Sequence, residues 1–180
     1  MSRIGRLHIA IPAGVTVEYK DQVVTVKGPK ATLTQTIASK DINVEVQGAE
    51  VCVTRANDNK ESKAMHGLYR MLIANMVKGV VTPFTKTLVI AGVGYKATVA
   101  GNKLTMNLGL SHNVEYVAPE GITITCPDAN TVVISGASKE VVGQAAATIK
   151  SKRPVEPYHG YGIHYSDEVV IRKEGKTAGK

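Results

Sequence analysis

Groups that could do chemistry gather near the end of the chain, where His159, His164, Asp167 and Glu168 stand among Tyr158, Tyr161 and Tyr165. They include enough ligand types for a metal, but their spacing matches neither the helical nor the knuckle pattern of a zinc site. Earlier, Gly92-Val-Gly94 follows a strand-like run as a dinucleotide loop would. Its third glycine is missing, and Ala97-Thr-Val99 continues as strand rather than helix, so the run reads as a tight turn or bulge. Ser111 and His112 are neighbours in sequence, which by itself does not make a nucleophile and base pair, and no Gly-x-Ser-x-Gly elbow or Walker loop occurs. The expectation is a protein that is not an enzyme and has no cofactor, no metal and no small-molecule substrate.

The same residues suit contact with nucleic acid. Arg153-Pro-Val-Glu-Pro-Tyr-His-Gly-Tyr-Gly-Ile-His-Tyr165, followed by Arg172, Lys173, Lys176 and Lys180, has almost no aliphatic residue to bury. It reads as a contact surface rather than a core segment. Tyrosine rings offer stacking faces and the cations offer charge for phosphates, while Gly160 and Gly162 let the backbone come close to a partner. The net charge of +7 points the same way, and its distribution is uneven. Residues 1–86 carry an excess of +5, residues 87–149 of −1 and residues 150–180 of +3. The tail is therefore expected to make the phosphate contacts of the second half, about six of them, with affinity falling on the order of a thousandfold between 50 and 200 mM salt.

Apolar periodicity shows what must position these groups. Ile42, Val44, Val46, Val51 and Val53 alternate as a half-buried hairpin does, and Ile122, Ile124, Cys126, Val132 and Ile134 repeat the pattern further on. A helix is expected after each hairpin. The first is capped by Asp58, presents Met65, Leu68, Leu72 and Met76, and ends at Gly79; the second is capped by Ser138 and presents Val142, Ala145 and Ile149 until Arg153 meets Pro154. Upstream of each hairpin lie further strands, with turns at Gly28-Pro29 and Gly101-Asn102. The fold class is α+β, with two tandem duplicated domains, each a small mainly antiparallel sheet covered by one helix, plus a basic C-terminal tail. The expected boundaries are 1–82, 83–152 and 153–180. His66 and His8 read as a helix-surface and a loop residue.

A hydrophobic share of 43% suits a globular protein, and no apolar run approaches the roughly 18 residues of a bilayer span. With no apolar leader after Met1, the expected compartment is the cytosol, with no membrane partner. Cys52 and Cys126 lie far apart and read as small buried apolar residues, not a disulfide framework.

Several ordered motifs also carry a resemblance that covers the whole chain. Met1-Ser-Arg-Ile-Gly5, Ile11-Pro-Ala-Gly-Val15, Gly92-Val-Gly-Tyr-Lys96, Leu108-Gly-Leu-Ser-His112, Pro119-Glu-Gly-Ile122, Arg153-Pro-Val-Glu-Pro-Tyr158 and Tyr165-Ser-Asp-Glu-Val-Val170 resemble those of bacterial large-subunit ribosomal protein six. The resemblance implies a ribosome-associated, cytoplasmic protein that binds large-subunit ribosomal RNA through its second domain and tail. Its place would be near the base of the acidic stalk and the translation-factor site, among neighbouring large-subunit ribosomal proteins. The RNA-binding residues it implies are Gly92, Gly94, Tyr95, Lys96, Ser111 and His112, then Lys152, Arg153, Pro157, Tyr158, His159, Gly160, Tyr161, Gly162, His164, Tyr165, Arg172, Lys173 and Lys176. One departure stands out. His159, Tyr161 and His164 occupy places where the family usually has lysine, lysine and arginine, which implies stacking, hydrogen bonding, and phosphate contact that weakens as pH rises. The alternative is a free, non-ribosomal RNA-binding or RNA-chaperone module of the same fold.

Overall fold

The computed structural model describes residues 3–176. The chain divides between Pro83 and Phe84 into two compact units, with Ala137–Lys139 grouped with the first. The first unit holds β1 (Ile9–Ala10), β2 (Thr16–Lys20), β3 (Val23–Lys27), β4 (Thr32–Thr36), β5 (Ile42–Gln47), β6 (Glu50–Arg55) and α1 (Lys60–Val81). The second holds β7 (Phe84–Ala91), β8 (Lys96–Ala100), β9 (Lys103–Asn107), β10 (Val114–Val117), β11 (Ile122–Asp128), β12 (Thr131–Gly136), α2 (Lys139–Ser151) and β13 (Gly162–Tyr165). The fold is α+β, and every strand pairing is antiparallel.

Each unit has two small sheets where the sequence suggested one. The orders are β2-β3-β4 and β1-β6-β5 in the first unit, and β10-β9-β8 and β11-β12-β7-β13 in the second. Period-two alternation sends one face of each strand inward, as in β3, where Val24 and Val26 are fully buried, and β9, where Leu104 and Met106 are. Asp21 and Gln22 close the β2–β3 hairpin with φ of 49° and 62°. Two successive left-handed residues are the two-residue turn whose twist matches the flanking strands. The helix supplies the rest of each core: Tyr69, Ile73, Met76, Val77 and Val80 in the first, and Val142, Ala145, Ala146 and Ile149 in the second.

Helix α1 departs from the expectation in three ways. Its N-cap is Asn59, with no side-chain cap bond, because the Asp58 carboxylate is taken by the Arg55 guanidinium at 2.6 and 2.9 Å. That hydrogen bond, and then the charge of Arg55, hold the Asp58 carboxyl below its ordinary value. Gly79 does not end the helix, which runs on until Thr82 donates to Lys78 O at 2.9 Å and Pro83 stops it. The buried stripe is turned by one residue, so that Leu68 is 48% exposed and His66 only 3% exposed.

His66 is thus a core residue, not a surface one. Its Nε2 lies 2.8 Å from Val53 O and its Nδ1 2.9 Å from an Arg55 nitrogen. A carbonyl only accepts and a guanidinium only donates, so the ring is neutral, with its proton on Nε2. His66→Ala leaves Val53 O and Arg55 without this partner and opens a void; about 2–4 kcal/mol of stability should be lost. A lowered urea midpoint, with a smaller drop in His66→Gln, is the expected result. Cys52 and Cys126 are half-buried, less enclosed than expected, and burial pushes the Cys126 thiol up.

The largest difference from the expected segment 153–180 concerns its described residues, 153–176. They are not an appendage apart from the second unit, because β13 pairs with β7 along Gly162↔Ala91, Ile163↔Ile90, His164↔Val89 and Tyr165↔Leu88. Ile163 is 0% exposed and belongs to the second core. The single aliphatic residue of Gly162–Tyr165 was enough, since an edge strand needs one side chain facing inward at the right register.

Candidate nucleic-acid interface

The β7–β13 register brings together two groups of residues that are far apart in sequence. Ala91 pairs with Gly162, so Gly92, the next residue of the first chain segment, lies beside the end of Gly160-Tyr161-Gly162. A third segment joins them through Tyr95. A Cβ on Gly92 would sit 2.5 Å from the Tyr95 ring, and one on Gly109 would sit 2.7 Å from it. The half-buried ring therefore occupies space left by two glycines and ties the Gly92–Lys96 turn to the Leu108–His112 loop. Gly109, at φ of 69°, was not among the expected site residues; its place in the Leu108-Gly-Leu-Ser-His112 motif was the available signal.

Exposure separates the expected site residues into three sets. Gly94, Lys96, Ser111, His112, Lys152, Pro157, Tyr158, His159, Tyr161, Arg172, Lys173 and Lys176 are exposed. Tyr95, Arg153, His164 and Tyr165 are half-buried, as is Gly92, while Gly160 and Gly162 are buried. Lys180 lies outside the described residues.

Besides the partner's close approach expected from the sequence, the glycines are required by the fold itself. A Cβ on Gly162 would lie 2.6 Å from Pro154 O and 2.7 Å from Val155 Cα, and one on Gly160 would lie 2.8 Å from Arg172 Nε. The loop is closed by its own backbone. Ile163 donates to Arg153 O, Glu156 to Tyr161 O, Gly160 to Glu156 O and Lys173 to Pro157 O, at 2.7–3.1 Å. Lys173 is thus anchored by its main chain with its side chain exposed.

Tyr165 is half-buried and its ring has cations beside it. Lys86 and Lys150 Nζ lie 5.3 and 4.8 Å from its ring centroid. These cations are in turn held by Asp167 at 3.4 Å and by Glu168 at 2.6 Å. Tyr161, 39% exposed, instead stacks on His159 with centroids 5.4 Å apart and planes 20° apart. His159 Nδ1 lies 3.2 Å from Glu156, and His164 Nδ1 lies 2.9 Å from Tyr165 O. His159, His164, Asp167 and Glu168 are therefore each engaged with other groups of the protein, and among the described residues no three metal-ligating side chains gather.

Glu168 clasps the tail to its unit. It accepts from Lys150 and from Tyr165 N–H at 3.1 Å, and these two bonds, the lysine's first, lower its carboxyl from 4.5. A lowered carboxyl contributes stability above its ordinary value and loses it as pH falls through the lower folded one. The Tyr165 amide should lose exchange protection on acidification below about pH 4.5, and a Glu168→Gln chain should show little such dependence. Equal pH profiles in the two proteins would refute the clasp.

The class of protein defined here is a tandemly duplicated α+β chain whose second unit bears a tyrosine-containing rim of exposed cations. Comparison with known proteins narrows it. The family model described as ribosomal protein L6 matches residues 11–82 and 91–166, one match per unit. The chain is 52% identical over 180 residues to large ribosomal subunit protein uL6 of Prosthecochloris aestuarii, covering 100% of this chain and 99% of the relative. It is 56% identical over 181 residues to the protein of that name from Clostridium kluyveri, covering 100% of both, and 55% over 177 residues to that of Streptococcus sanguinis, covering 98% and 99%. The chain belongs to the ribosomal protein L6 family. No helix among the described residues is long and apolar enough to cross a membrane.

Proposed function

We propose that this chain is a non-catalytic structural constituent of the large ribosomal subunit and binds large-subunit ribosomal RNA through its second unit. The observation that carries the reading is the β7–β13 pairing, which makes one surface of the Gly92–Lys96 turn and the Tyr158–Gly162 loop. Lys96, Lys152, Arg172 and Lys173 are exposed on the same unit as Tyr158 and Tyr161, whose exposed rings suit stacking on unpaired bases. Relatives named as large-subunit proteins across the full length support assembly into that particle. The finer reading places the chain near the base of the acidic stalk and the translation-factor site, beside the proteins there, in the cytoplasm.

Sedimentation tests the assembly. The chain should travel almost stoichiometrically with large subunits through a high-salt sucrose gradient. Recovery near the top of the gradient would favour a free RNA-binding module instead. Hydroxyl-radical cleavage from probes at Lys96 and Tyr161 should map to one RNA region at the stalk base; cuts elsewhere would overturn the finer placement.

A further inference from the structure

Among the described residues the second unit has a strand that the first lacks, and none of them pairs with the corresponding edge in the first. Hydrogen bonds fix the equivalence. Ile11 donates to Ala49 O at 2.7 Å as Ile90 does to Asn130 O at 2.8 Å. Ile9 pairs with Val51 as Leu88 does with Val132, and Ala10 pairs with Glu50 as Val89 does with Thr131. Ile9-Ala10-Ile11 thus stands where Leu88-Val89-Ile90 stands in the second unit. Alternate residues of an antiparallel ladder turn their N–H and C=O to opposite sides, so Ala10 and Val89 both face the outer edge. Val89 meets His164 of β13 there. Ala10 is exposed, at the edge strand of its sheet.

Beside Ala10 runs a groove of about 380 Å³, walled by Ile9, Ile11 and Pro12 on one side and by Ala74, Val77, Lys78, Val81 and Thr82 on the other. The second wall exists because α1 has 22 residues where α2 has 13. The flanks of the edge are closed. Arg70 donates to Leu7 O at 3.1 Å and His8 O at 3.4 Å, where in the second unit Ser166 N–H donates to Thr87 O at 3.1 Å. Pro12, in the place of Ala91, has no N–H to offer. A long strand is excluded, and one register remains, with pairing centred on Ala10.

We propose that this groove receives a short extended segment of a neighbouring large-subunit protein. The segment pairs with Ala10 and sets an aliphatic side chain between β1 and α1, as β13 sets Ile163 against the second core. This inference rests on the proposed assembly. A mainly apolar lining beside one main-chain donor and acceptor suits a peptide strand, and the one cation there, Lys78, makes RNA the competing outcome of the test.

The test uses the full chain, free and in reconstituted large subunits, after sedimentation has shown incorporation. Failure to incorporate is seen at that first step and overturns the assembly reading itself. Exchange of the Ala10 amide should slow at least tenfold on incorporation. With p-benzoylphenylalanine in place of Thr82, irradiation should give one cross-link, to an aliphatic-containing segment of a neighbouring protein. Ala74→Phe, which fills the groove, should abolish both signals while the chain still incorporates. Unchanged Ala10 exchange, or cross-links to RNA alone, in incorporated protein would overturn the proposal, and the unsubstituted chain decides the matter even if Ala74→Phe does not fold.

Discussion

Replacing Gly162 with valine is expected to lower the melting temperature of the RNA-free chain by roughly 10–20 °C, the equivalent of about 2–4 kcal/mol for a unit of this size. Gly162 has a φ of 142°, and any Cβ there would overlap the Pro154 carbonyl and the Val155 main chain. Main chain cannot swing aside as the end of a side chain can. Relief would come by parting β13 from β7, which takes Ile163 out of the core and exposes the edge of a four-stranded sheet. Amide exchange should rise along both strands. Gly160→Ala makes the contrast, because its new Cβ would meet the guanidinium of Arg172, which can move. That change leaves mainly the left-handed strain at φ of 76°, about 1 kcal/mol. If Gly162→Val abolished RNA binding with an unaltered melting temperature, the glycine would be serving the partner and not the fold.

Neutralising Lys96, Lys152, Arg172 and Lys173 together, each to glutamine, is expected to weaken binding to a large-subunit RNA fragment by on the order of a hundredfold to a thousandfold at 0.1 M salt. Each phosphate contact contributes a salt slope of roughly 0.7–0.9, so the slope should fall by about three. These four side chains are exposed and take part in none of the ion pairs found among the described residues, so the melting temperature should hardly change. Lys86 and Lys150 are the control. They are engaged with Asp167, Glu168 and the Tyr165 ring, and their replacement should loosen the clasp while leaving most of the salt slope intact. An unchanged slope in the quadruple variant would show that these cations face solvent rather than RNA. Deleting residues 150–180 would instead remove Ile163 from the core and report on folding rather than contact.

What the sequence determined by itself was the pattern that short-range rules govern. Period-two alternation in Val24, Val26, Val44, Val51 and Val53 marked strands, its recurrence in Ile122, Ile124, Val132 and Ile134 marked the duplication, and Pro154 marked where the second helix could not continue. The clustering of tyrosine, glycine and cations in the tail was equally legible, and with the ordered motifs it pointed to the family. Tertiary structure decided which face each element buries. The stripe of α1 could be read one residue away from its true position because Leu68 and Tyr69 are both apolar enough to be buried, and only the Val53 carbonyl and Arg55, brought from β6, make His66 the inward residue. The role of the tail was hidden for the same reason. Nothing local distinguishes a strand from a loop in Gly-Ile-His-Tyr; the open edge of β7, supplied by a segment some seventy residues earlier, gives those amides their partners and Ile163 its core. That pairing also makes the glycines structural and sets Gly92 beside Tyr161. Strand pairing and burial are properties of what lies across from a residue, and a linear pattern of side chains states only what a residue could accept there.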